Sequence, residues 1–123
     1  MHQDDIKRAH EAIVEARKDD IKRAHEAIVE ARKAVAEGAW RGDVRIARLG
    51  LRARTYHSAA YQMRHIQLDI WPLCAPDREH RLTIDQAEMV QAWLKDHQGR
   101  CERLAEKYSQ AHYEVLAMVQ DRE

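Results

Sequence analysis

The sequence has no phenylalanine and no asparagine, only four glycines and two prolines, and two cysteines. Each scarcity excludes something. Without asparagine there is no N-glycosylation acceptor. With so few glycines and prolines, turns are rare and uninterrupted helices are expected. Cys74 and Cys101 form no CxxC pair, so a dithiol redox motif is absent and free thiols in a reducing compartment are the expectation. No apolar run approaches the length of about 18 residues that a membrane-spanning helix needs. No secretory leader pattern opens the chain either, and a soluble, cytoplasmic protein that does not engage membranes is expected. Net charge is missing as well, with 21 Lys plus Arg against 21 Asp plus Glu. A nucleic-acid binder acting by bulk charge, or an acidic nucleic-acid mimic, would be unbalanced, so any such role must be local.

What is present is helix-forming. Ala, Glu, Lys, Leu and Arg dominate, and the 15 arginines and 6 lysines, with no asparagine, suggest the GC-rich coding of a bacterium or phage. Leu, Ile and Val total 23 against 19 alanines, which implies a thin core between closely approaching helices.

The chain opens on a repeat. DDIKRAHEAIVEARK runs from Asp4 to Lys18 and again, letter for letter, from Asp19 to Lys33. Identity this complete points to a recent or engineered duplication. At about 100° per residue, fifteen residues advance a helix by four turns plus about 60°. On a straight helix Ile6, Ile13, Val14, Ile21, Ile28 and Val35 then share one apolar stripe. One over-long helix over residues 4–37 is therefore expected, with Arg17 and Asp20 spoiling the stripe where the copies meet. The second copy is joined directly to the following turn, so it takes the native place. The first extends beyond the body of the domain, where Ile6, Ile13 and Val14 become a self-association stripe.

Gly38 and Gly42 bracket a turn, and Asp43 caps a second helix over 44–70. Its seam is Ile46, Leu49, Ala53, Tyr56, Ala60, Met63, Gln67 and Ile70, alternately three and four apart. Residues 71–83 form a loop with two prolines. Thr83 and Gln86 make a capping box for a third helix over 84–119, with the seam Ala87, Val90, Leu94, His97, Cys101, Leu104, Tyr108, Ala111, Val115 and Met118. These elements predict one all-α domain spanning 1–123, an elongated, coiled-coil-like, antiparallel three-helix bundle, with a homo-oligomer, most simply a homodimer, completing the core.

Few residues suggest chemistry. His57 with His65, His65 with Asp69, and His97 with Cys101 have helical spacing, but none reaches the three or four ligands of a zinc site, and no metal or other cofactor is expected. Cys74 and His80 share a loop without an oxyanion hole, so no catalytic residue is assigned and the chain reads as a non-enzyme. The asymmetric feature is a stripe of Arg41, Arg45, Arg48 and Arg52. It can pair with Glu26, Glu30 and Glu37 of the first helix, meet a partner, or neutralise phosphates. The functional expectation is a small regulator or inhibitor that binds an unknown protein partner, with nucleic-acid association through the arginine stripe as the alternative.

Overall fold

The computed structural model describes residues 3–70 and 82–122, and every regular element among them is helical: α1 (Gln3–Arg17), α2 (Asp20–Ala36), α3 (Val44–Ile70) and α4 (Ile84–Arg122). Three of these, α2, α3 and α4, pack against one another, and α1 packs on α4.

The expected single helix over 4–37 is two helices. It breaks at Lys18 and Asp19, the junction of the copies, where Asp19 (φ −96°, ψ 3°) becomes the residue before α2. The reason is the mismatch of register. An unbroken helix carries Arg17 onto the apolar arc and Asp20 to its edge, and burying such charges without partners is costly. The break lets both be paired, as described below. A second correction follows from it. The first copy lies along α4 instead of extending beyond the body, and Ile6 is buried at 4% exposure in a satellite cluster with Ile70, Leu82, Ala87 and Leu94.

The other boundaries follow local chemistry. At the end of α2, Gly38 adopts φ +88°. The Ala39 N–H donates to Ala34 O and the Gly38 N–H to Val35 O, both at 3.0 Å, the pairing of a Schellman cap. Arg122 at the end of α4 donates to the carbonyls of Val35 and Ala39, tying the two helix ends together. Gly42 lies under the Trp40 ring, which an added Cβ would meet at 2.1 Å. Asp43 Oδ1 accepts from the Arg45 N–H at 2.8 Å and caps α3. The Thr83–Gln86 capping box forms reciprocally, at 3.0 and 3.1 Å. The remainder of the expected 71–83 loop, with Cys74 and His80, lies outside the described residues.

The main core joins Ala24, Ala27, Ile28, Ala31 and Ala34 of α2 to Ile46 and Leu49 of α3 and to Leu104, Tyr108, Ala111, Val115 and Val119 of α4. Alanine faces α3 and α4 along α2, so the helices approach closely. All eight seam positions of α3 are buried or half-buried. On α4 the seam holds as far as Val115 and then turns, burying Val119 and exposing Met118. A straight helix drifts from a strict heptad by about 20° per repeat, which accounts for the shift by one residue at the far end.

Candidate functional site

The helix α3 has two apolar faces. Its inner seam packs on α4, where Tyr56 stacks on Tyr108 (centroids 5.8 Å apart, planes 8° apart) and Gln67 Nε2 donates to Gln98 Oε1 at 2.7 Å. Gly50 permits a close approach, with the His112 ring 2.7 Å from where a Cβ would stand. On the opposite side Val44, Leu51, Tyr61 and Leu68 are 60–70% exposed. They recur seven, ten and seven residues apart, so on a heptad frame they occupy the two apolar positions of a second seam, with Ala47, Arg54, Ser58 and His65 filling the intervening ones. The sequence carried this signal. The outer seam is the inner one offset by two residues, but the inner seam's unbroken spacing masked it. A helix apolar on opposite faces is suited to burial from both sides.

Three of the four stripe arginines lie on this helix and Arg41 precedes it, but they do not act together. Arg45 donates to Asp43 (Nε–Oδ1 3.1 Å) and to Glu37 (Nη1–Oε2 3.0 Å), and its guanidinium holds the Asp43 carboxyl below the usual range. Arg52 Nη1 donates to the Tyr108 hydroxyl at 3.2 Å, with its guanidinium carbon 5.8 Å from that ring's centroid. Arg48 and Arg52 line a groove with Arg23, Glu26 and Glu30. Arg41 lies apart, beside Leu116, Val119 and Gln120. Two of the four are thus committed to intrachain partners.

The residues expected to self-associate are separated as well: Ile6 is buried, Ile13 half-buried and Val14 exposed. Ile6 also borders an apolar cavity of about 340 Å³ between α1 and α4, lined by His10, Met89, Ala92 and Trp93 with Lys7 and Asp96 beside them. His10 meets Trp93 edge to face at 5.5 Å.

The junction of the copies holds a cluster of charges. Arg17 donates to Asp96 Oδ2 (2.9 Å) and to His97 Nδ1 (2.5 Å). Arg23 pairs with the buried Asp20 at 2.6 Å, Arg100 Nε lies 4.0 Å from the same carboxylate, and Arg100 Nη2 donates to the Arg17 carbonyl at 2.9 Å. Accepting at Nδ1 requires His97 to be neutral with its proton on Nε2. Burial first, and then Arg17 and Arg100, lower its pKa against the opposing pull of Asp20 and Asp96. His112 is lowered by burial and by Arg54, and burial raises the Cys101 thiol. Among the described residues no group of three or more His, Cys, Asp or Glu is placed to hold a metal ion.

The two depressed histidines make a pH prediction. Each binds its proton more readily in the unfolded chain, so their contribution is fully present above the unfolded value of about 6.5 and is lost as pH falls through the folded values. The urea midpoint is expected to drop between pH 7.5 and 5.5, and to drop less in a His97→Gln/His112→Gln double variant. A variant midpoint that falls as steeply as the wild type's contradicts the assignment.

Compared with protein-family models, with curated proteins and with solved structures, the chain matches none. No helix among the described residues is long and apolar enough to cross a membrane.

Proposed function

We propose that this chain is a non-enzymatic helical interaction protein that binds a protein partner through the outer face of α3. The observation that carries the reading is the exposed seam of Val44, Leu51, Tyr61 and Leu68 on a helix whose other face is already packed. Large apolar side chains grouped on one surface mark interaction sites. The frame behind the seam is an antiparallel three-helix bundle of α2, α3 and α4. Contacts that pair 50 with 112, 56 with 108 and 67 with 98 support opposite directions for α3 and α4. A small regulator or inhibitor from a bacterium or phage fits the size and the exposed face of α3. Homo-oligomerisation through α1 has less support, because Ile6 is turned into the fold. Nucleic-acid binding by the arginine stripe also has less, because two of its four arginines, Arg45 and Arg52, are engaged within the chain.

The test compares capture of partners by the wild-type chain and by a Leu51→Glu/Tyr61→Glu variant. Both side chains are exposed, so helicity and melting temperature should be within a few degrees of wild type. Proteins retained by the wild type and lost by the variant are the expected result. Identical capture by the two chains, or retention of only DNA or RNA that is released by salt and by Arg45→Glu/Arg48→Glu, overturns the reading.

A further inference from the structure

The partner's own chemistry can be specified, resting on the reading of the α3 outer face just given. From the charge and spacing of that face, we infer that its occupant is an acidic amphipathic helix of a second protein. Between Val44 and Ile70 there are five arginines and a single acid, Asp69. Arg45 and Arg52 are engaged within the chain. Arg48, Arg54 and Arg64 make no ion pair or hydrogen bond among the described residues, although Glu26 and Glu30 of α2 line a groove with Arg48, and Glu102 and Glu106 of α4 line one with Arg54 and His57. On the heptad frame of the outer seam Arg54 stands in the seam, while Arg48 and Arg64 stand on opposite sides of it, in the flanking positions that set the choice of partner in paired helices. His57 flanks the seam on the Arg64 side, and Tyr61 carries the His65 ring at 4.3 Å.

A basic-flanked apolar seam complements a helix with apolar residues at three-and-four spacing and Glu or Asp beside them. From Val44 to Leu68 the seam spans about 36 Å at 1.5 Å per residue, which a partner helix of about 25 residues covers. A second copy of this chain is a poor occupant, because it would set arginine-flanked seams face to face, and like charges across an interface discriminate against a partner. Nucleic acid lacks the apolar stripe that four exposed large side chains require.

The probe is a fluorescein-labelled 25-residue helical peptide with Leu at the seam positions and Glu at the flanking ones, read by fluorescence anisotropy. A twin peptide carries Lys at the flanking positions. The Glu peptide is expected to bind the wild-type chain at least tenfold more tightly than the Lys peptide. Arg48→Glu/Arg64→Glu should reverse the order, and Leu51→Glu/Tyr61→Glu should abolish binding of both peptides. Equal binding of the two peptides, or binding of neither, overturns the inference. So does a sedimenting dimer of the wild type that Leu51→Glu/Tyr61→Glu dissolves, since a second copy then occupies the face. If the natural partner is still lost by the seam variant while neither peptide binds, the face stands as a docking surface and only its acidic helical occupant is rejected.

Discussion

Replacing Tyr108 by alanine should lower the free energy of unfolding by about 3–5 kcal/mol, the range for deleting a large buried aromatic side chain. Among the described residues Tyr108 is the largest fully buried side chain. Tyr108 is essentially inaccessible. It stacks on Tyr56 from α3, accepts a hydrogen bond from Arg52 and belongs to the cluster that joins α2, α3 and α4. Small domains have only about 5–15 kcal/mol in hand, so the loss should bring the chain close to unfolding at 37 °C. Tyr108→Phe separates the ring from the hydroxyl. It should cost about 1 kcal/mol, because Arg52 is half-exposed and water can replace the lost acceptor. Urea denaturation followed by circular dichroism gives both values. A Tyr108→Ala loss no larger than that of Tyr108→Phe would show that the ring is not packed as described.

The second large effect comes from comparing identical residues in the two copies of the repeat. Ile28 is buried in the main core, and Ile28→Ala should cost about 2–5 kcal/mol. Ile13, its equivalent in the first copy, is only half-buried, and Ile13→Ala should cost less than half as much. The order reverses one position class away. Ile6 is buried and Ile21, its equivalent, is 54% exposed. Ile6→Ala should therefore destabilise measurably, while Ile21→Ala should stay within about 0.5 kcal/mol, the usual range for a surface change. Local sequence is nearly the same within each pair, so most of the helix propensity cancels and burial is the main difference that remains. Matching losses for Ile13 and Ile28, and for Ile6 and Ile21, would mean that the two copies occupy equivalent environments.

Much of the helical framework was legible in the residues. The start of α3, the Asp43 cap, the Gly38 terminus and the Thr83–Gln86 box each depend on groups within a few residues of one another, and such short-range chemistry is written in sequence order. The inner seam of α3 was legible because heptad spacing is a local geometric property. Its outer seam was equally present in the spacing, but choosing which apolar face is packed needs knowledge of what lies beside it. The pairing of Arg45 with Glu37 is short-range, whereas the Arg52–Tyr108 contact joins residues brought together only by packing.

The repeat divides the two kinds of information most clearly. By itself the sequence determined that both copies are helical, because identical residues carry identical propensities and no breaker interrupts them. It also marked the junction as defective, because Arg17 falls on the apolar arc and Asp20 at its edge. Only the tertiary structure decided that the chain breaks there and that the copies then bury different faces. The second copy sits between α3 and α4, and its alanines allow the close approach that places Ala24, Ala27, Ile28, Ala31 and Ala34 inside. The first meets α4 and uses Ile6 instead. Asp5 is exposed while Asp20, its equivalent, is buried beside Arg23 and Arg100. The physical reason is that burial is a property of neighbours: one amphipathic sequence offers more than one usable face, and the surface it lands on selects between them.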